Sequence, residues 1–320
     1  MHLTFILSLT FAFILAFATL STNATQICRA LALGGGGDRG AFEAGVLSAL
    51  VALQDSEATR YEVVTGISAG SINAAAFSQF RIGDEKKAVE FLLDRWRKTT
   101  KDDIYKNWFP GGIVEGFSLK SGLFDTSPLL NYLKENIDPQ KVLDSGRVLL
   151  VGATNLEKNR FEMWNGTFHD LPQAVRASSA VPGIFETVKI GDDVYVDGGM
   201  TYMTPVTSAI QRCIRLHETT DVKVLVDVIL AVGDAHMPGS LSKYNSTPFV
   251  LLKSLFGIIQ NIFVGDIQNA RLAFPQAQFR VIMPSKWLPG WFLGFTHAEE
   301  MIQMGYADGK AALNQTKWKL

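Results

Sequence analysis

An apolar, uncharged run from Leu3 to Leu20 opens the chain and then turns abruptly polar and small. This profile predicts a signal peptide over residues 1–25, although no Lys or Arg precedes the run and its length approaches that of a membrane anchor. The expected destination is the secretory pathway, secreted or lumenal, or membrane-anchored if the leader is retained. Beyond it, Arg29 to Leu33 is a short apolar run ending in four glycines, the pattern of a buried strand feeding a tight loop. Ala41 to Leu53 places Phe42, Val46, Leu47, Leu50 and Leu53 at helical spacing, which predicts a helix. Tyr61 to Thr65 reads as a second strand and Ala69 to Phe80 as a second helix. The succession β-loop-α-β-turn-α opens an α/β fold, a parallel-type central sheet flanked by helices. Further helices are expected at 85–98, 128–136, 248–264 and 296–313, and strands at 147–154, 160–164, 193–196, 222–232 and 279–283. No repeat, low-complexity tract or Pro/Ser-rich linker divides the chain, so residues 26–320 read as a single catalytic domain.

Composition narrows the partners. Thirty Lys and Arg nearly cancel 31 Asp and Glu, so no long-range field gathers nucleic acid, and membrane contact must be local and apolar. The two cysteines, Cys28 and Cys213, fit either a disulfide in an oxidising lumen or two separate buried thiols. Neither lies in a CxxC or Cys/His cluster, and no metal site is expected. Asn-x-Ser/Thr triplets at Asn23, Asn165, Asn245 and Asn314 would be open to glycosylation in a lumen.

Three motifs carry chemistry. Gly66-Ile67-Ser68-Ala69-Gly70 follows a predicted strand and precedes a predicted helix, the setting of a nucleophile elbow. Ser68 would project at a helix N-terminus, whose partial positive charge favours an alkoxide. Gly34 to Gly40 forms a loop whose Gly36 and Gly37 amides can hold an oxyanion, with Gly35 making the turn and Arg39 securing the loop or a lipid phosphate. Gly35, Gly37 and Gly40 also satisfy the dinucleotide pattern G-x-G-x-x-G. That reading wants an acid closing the second strand. Asp55 and Glu57 instead precede it, so a dinucleotide-dependent oxidoreductase is a remote alternative and no cofactor is expected. Finally, Val194-Tyr195-Val196-Asp197-Gly198-Gly199 is a strand ending in an acid, which can accept the Ser68 proton or can be an ordinary Asp-Gly turn.

Motif order resolves most of this ambiguity. In α/β-hydrolases the nucleophile comes well into the sheet and a histidine comes last. Here Ser68 ends the second predicted strand, directly after the glycine loop, and His169, His217, His236 and His297 lack a recognisable catalytic context. The chain resembles the patatin-like phospholipase family. It carries that family's GGGxRG loop as Gly35 to Gly40, its G-x-S-x-G as Gly66 to Gly70, and its DG[GA] as Asp197 to Gly199. The stretch Arg176 to Phe185 is similar as well. Gly34 stands where plant patatins carry Asp, and Tyr202-Met203-Thr204-Pro205 replaces the commoner Asn-Asn-x-Pro.

The resemblance implies a three-layer α/β/α fold and a Ser68–Asp197 dyad acting without histidine, metal or cofactor. It also implies a glycerolipid ester substrate met at a membrane or micelle surface. A non-catalytic lipid-binding or storage protein of the same fold is the alternative. Two apolar stretches bear on lipid: residues 248–264, read as a buried core helix in preference to an acyl-chain wall, and the aromatic stretch Lys286 to Phe295, which suits either an interfacial patch or the core.

Overall fold

The computed structural model describes residues 26–218, 221–232 and 247–314. The leader, Asn23, Asn245 and His236 lie outside them. In chain order the elements are β1 (Ile27–Leu33), α1 (Gly40–Leu53), β2 (Val63–Gly66), α2 (Ala69–Phe77), α3 (Glu85–Lys98), α4 (Gly112–Leu119), β3 (Gly122–Phe124), α5 (Ser127–Asn136), α6 (Pro139–Asp144), β4 (Val148–Asn155) and β5 (Arg160–Asn165). There follow α7 (Leu171–Ser178), β6 (Gly183–Phe185), β7 (Val188–Ile190), β8 (Asp193–Asp197), α8 (Val206–Leu216), β9 (Lys223–Ile229), α9 (Thr247–Ala273), β10 (Gln278–Ile282) and α10 (Ala298–Leu313).

Five strands, β10-β9-β1-β2-β4, run parallel, and the sheet continues through antiparallel β8 and β7, with β5 also paired to β4. The expected parallel-type sheet is therefore a mixed one with a parallel centre. Its two faces are read directly off β1. Leu31 and Leu33 point into a core shared with α1, α2, α3, α5 and α10, whereas Cys28, Ala30 and Ala32 point into one shared with α8 and α9. Strands buried on both faces account for the continuous apolar runs.

Register places the motifs. Leu33 pairs with Gly66 and Gly66 with Val151, so the glycine loop and the serine turn leave adjacent strands at one edge. Asp197 pairs with Ala153, two residues further along β4, because β8 runs antiparallel and delivers its last residue back toward that edge.

Most expected elements are present, with shifted ends. The second strand begins at Val63 because Tyr61 closes a turn onto the Thr59 carbonyl. The helix over 248–264 continues to Ala273, and among its described side chains Phe263 and Ile267 are buried while Ile258 and Val264 face solvent. Helices α4, α6, α7 and α8 were not anticipated. Three of these are short, and α8 draws its stability from burying Val206, Ala209, Ile210 and Cys213 against the sheet. Buried Arg147 gathers the loop before α3, donating to the Phe80 and Arg81 carbonyls and to Glu85. No helix among the described residues is long and apolar enough to cross a membrane.

Cys28 and Cys213 form a disulfide joining β1 to α8 across 185 positions of sequence, with their Cα atoms 5.8 Å apart. A cross-link closing so long a loop restricts the unfolded chain strongly. Replacing both cysteines with serine is expected to lower unfolding free energy by about 2–5 kcal/mol in urea titrations. Wild-type protein under reductant should converge on the variant's midpoint.

Candidate active site

Ser68 caps α2 with φ 54° and ψ −129°, a left-handed conformation that a side chain adopts at a cost of order 1–3 kcal/mol. Three sets of contacts hold it there. The Ser68 amide donates to Ser178 Oγ at 3.0 Å, and its carbonyl accepts from the Ser71 amide at 2.8 Å and the Ser71 hydroxyl at 2.6 Å. A Cβ on Gly66 would strike the Gly70 carbonyl, and one on Gly70 would strike the Leu33 and Gly34 carbonyls. Both glycines are thus required by backbone approaching backbone.

The glycine loop lies alongside. A Cβ on Gly35 would meet Ser68 Cβ and Met203 Sδ, both at 2.7 Å. The Gly34 amide donates to Ile229 and the Asp38 amide to Phe292, while those of Gly36 and Gly37 make no backbone hydrogen bond among the described residues. Gly37, at φ 65°, lines the same cavity as Ser68. Arg39 is buried with its guanidinium 4.5 Å above the Trp287 ring. Gly40 packs against the Trp96 indole.

Asp197 is buried at the end of β8. Its Oδ1 accepts from the Gly199 amide at 2.8 Å. Burial pushes the carboxyl up to about 6, against the opposing pull of the nearby Ser68 side chain and the Gly199 amide. Gly198 lies against the Gly152 carbonyl and Gly199 against Met203, leaving no room for side chains behind the acid.

From Ser68 and Gly37 an apolar cavity runs into the protein between α2, α3 and α5, walled by Ile72, Leu92, Leu129 and Leu133. None of the described histidines lines it. His217 instead bonds Glu62, and although Cys28 lies near both, its sulfur is committed to the disulfide. Asp55 and Glu57 sit in the turn before β2, where Asp55 accepts from the Glu57 amide, and no acid closes that strand for a ribose.

Several contributors were not legible as motifs. Asp266 on α9 accepts from the Met203 and Thr204 amides, both at 2.9 Å, and holds the segment that backs Gly35 and Gly199. Burial raises its carboxyl to about 7. Asp38 accepts from the Phe295 amide at 2.9 Å and is likewise raised, to about 6, by burial. This tie draws the 286–295 stretch onto the glycine loop, so Leu288, Phe292 and Leu293 are buried and Trp291 alone among its tryptophans is well exposed. A lone Asp on a helix 69 positions from Asp197 has no pattern that would single it out.

Residues 31–210 match the family described as Patatin-like phospholipase, a span that takes in Ser68, Asp197 and the whole glycine loop. The chain belongs to the patatin-like phospholipase family. Rat calcium-independent phospholipase A2-gamma is 26% identical over 223 residues, which is 62% of this chain and 28% of the rat protein. The uncharacterized protein YjjU of Escherichia coli K12 is 28% identical over 189 residues, 57% of this chain and 48% of that protein. The chain therefore spans less than half the length of either relative. Among solved structures, VipD from Legionella pneumophila aligns over 92% of this chain and 69% of its own, with TM-score 0.44 and 14% identity. In this patatin-like chain, β9, α9, β10 and α10 follow the family-matched span, so Asp266 and the 286–295 stretch reach the site from outside it.

Gly70→Ala is expected to lose about 1–3 kcal/mol or more, since the new methyl meets carbonyls of a neighbouring strand that cannot step aside. Gly257→Ala, in exposed helix with open space around it, should gain up to about 1 kcal/mol. Chemical denaturation of the two variants reads both signs.

Proposed function

We propose that this chain hydrolyses fatty-acyl esters of phospholipids or related glycerolipids, with Ser68 as nucleophile and Asp197 as general base. The observation that carries the reading is a buried serine that lines an apolar cavity, with the buried Asp197 carboxylate near enough for the serine side chain to lower its pKa. A carboxylate raised toward neutrality is a better base than an ordinary one yet is still ionised at pH 7. Asp197 takes the Ser68 proton as the oxygen attacks the ester carbonyl. The negative oxygen that results is held by the Gly36 and Gly37 amides, and its collapse expels the alcohol, protonated by Asp197. Water, deprotonated by the same carboxylate, then releases the fatty acid from Ser68.

Ser68→Ala is expected to abolish fluorophosphonate labelling and to reduce ester hydrolysis by about 10⁴-fold or more. For wild type, kcat/KM should fall tenfold per pH unit below about 6 and flatten above it. Asp197→Asn should lose activity at every pH. Its stability should move the other way. A folded pKa of about 6 against an ordinary 3.8 means that ionising Asp197 weakens the fold as pH rises through that window. The variant lacks this penalty and should melt no lower than wild type at pH 8. Full activity in Ser68→Ala would remove the proposal.

Access to aggregated lipid is supported by α4. Phe117, Leu119 and Val114 are 84%, 79% and 77% exposed, and Phe109 just before the helix is 93% exposed. Buried Gly116 seats the helix on the Leu123 backbone, so these side chains stand outward together. Scattered exposed apolar residues are ordinary, but a cluster of this density marks an interaction surface. A Phe109→Ser/Phe117→Ser variant should bind phospholipid vesicles at least tenfold more weakly by co-sedimentation, since each phenyl ring buried in lipid contributes roughly 1.5–3 kcal/mol. Its hydrolysis of a soluble short-chain ester should be unchanged.

A further inference from the structure

The cavity follows one face of α2. Ser68 stands at the helix cap, and Ala69, Ile72, Asn73 and Ala76 line the cavity at the spacing of successive turns. From Ala69 to Ala76 the path is about 10 Å at the helical rise of 1.5 Å per residue. An extended chain advances about 3.6 Å per three bonds, so roughly nine carbons reach from the serine to the far end.

That end is closed by a polar bridge between α3 and α5. Arg95 Nη1 donates to Asn136 Oδ1 at 3.0 Å. Asn136 is itself held by its Nδ2 on the Tyr132 carbonyl at 2.8 Å, and its carbonyl accepts from Gln79 Nε2, at 2.9 Å, just past the end of α2. Arg95 is less fixed. Its Nε is buried with no hydrogen-bond partner, its guanidinium lies 5.5 Å from the Phe91 ring, and its other nitrogen pairs with the half-exposed Asp94. Phe91, Arg95, Asn136 and Ile137, which end the cavity, also line an open surface groove shared with Phe80, Lys134 and Lys141. The Arg95–Asn136 pair, flanked by Phe91 and Ile137, thus stands between the apolar channel and the groove.

We propose that Arg95 and Asn136 form a gate at the blind end of the acyl channel, making acyl-chain length the property that this pair selects. The proposal rests on the reading of the cavity as the acyl site of a lipid hydrolase. Chains of up to roughly nine carbons match the length of the lining face of α2, and the cavity, about 50 Å³ as it stands, must widen to take them. Longer ones must part the bridge, turning the guanidinium outward toward Asp94 and solvent, and thread into the groove. A charged side chain suits this position because its outward state is well solvated, whereas an apolar plug would resist exposure.

The test uses full-length protein carrying Ser68→Ala, so that ligands are bound and not turned over, with saturated fatty acids of four to sixteen carbons titrated calorimetrically. Affinity is expected to rise about fourfold per methylene, the value for burying a CH₂ group, up to about ten carbons and then to level off. Adding Arg95→Ala should carry the rise on by several carbons. Asn136→Ala, made separately in case the first variant folds poorly, should do the same, and combining the two should add little. Arg95→Met, which keeps the bulk without the bridge, should fall between. A plateau at the same length with and without the bridge overturns the gate, as does an unbroken rise in the parent protein or the absence of fatty-acid binding. Hydrolysis of p-nitrophenyl butyrate by wild type, whose chain is too short to touch the gate, reports on the Ser68 reading separately.

Discussion

The close approach of backbone to backbone at the carboxyl edge of the sheet is the constraint on which the rest of the site depends. Gly66, Gly70 and the Leu33 and Gly34 carbonyls occupy a space that admits no Cβ, and Ser68 is held between them in a left-handed conformation. A residue in that conformation persists only where its surroundings over-determine it. The Ser178 and Ser71 hydrogen bonds supply part of that determination, and the parallel register of Leu33 with Gly66 supplies the rest. The same register sets the Gly37 backbone beside Ser68, so the serine and the glycine loop are placed by one feature of the sheet.

Around this edge the protein concentrates carboxyl groups in poorly hydrated surroundings. Asp38, Asp197 and Asp266 are all raised, each mainly by burial, and each is stabilised by backbone amides with little or no help from a cation. Amide donors orient a carboxylate without neutralising it. For Asp38 and Asp266 the result is mechanical, since they tie the 286–295 stretch and the Met203 segment onto the glycine loop. Asp197 differs in having the Ser68 side chain close enough to lower its pKa. The same kind of environment thus yields anchors at two positions and, at the third, the carboxyl to which the proposed reading gives the proton.

Beyond the edge, the architecture separates polar work from apolar containment. The cavity is walled by side chains of α2, α3 and α5, which belong to the core on one face of the sheet, while the segment backing the glycines is pinned from the other face by α9. The site therefore draws on both layers, and its far boundary falls where α3 and α5 meet solvent.

Much of this was determined by the sequence alone. Continuous apolar runs announced strands buried on both faces, and the glycines of 34–40, 66–70 and 198–199 marked where no side chain fits, because steric exclusion is a local property written in residue type. Only the tertiary structure decided the direction of β8, which brings Asp197 to Ser68, and the union of Cys28 with Cys213. It alone recruited Asp266 from α9 and drew the aromatic stretch 286–295 largely into the protein. Each of these depends on contacts between residues tens to hundreds of positions apart. Such contacts arise from how the layers pack, and no local pattern of residues encodes them.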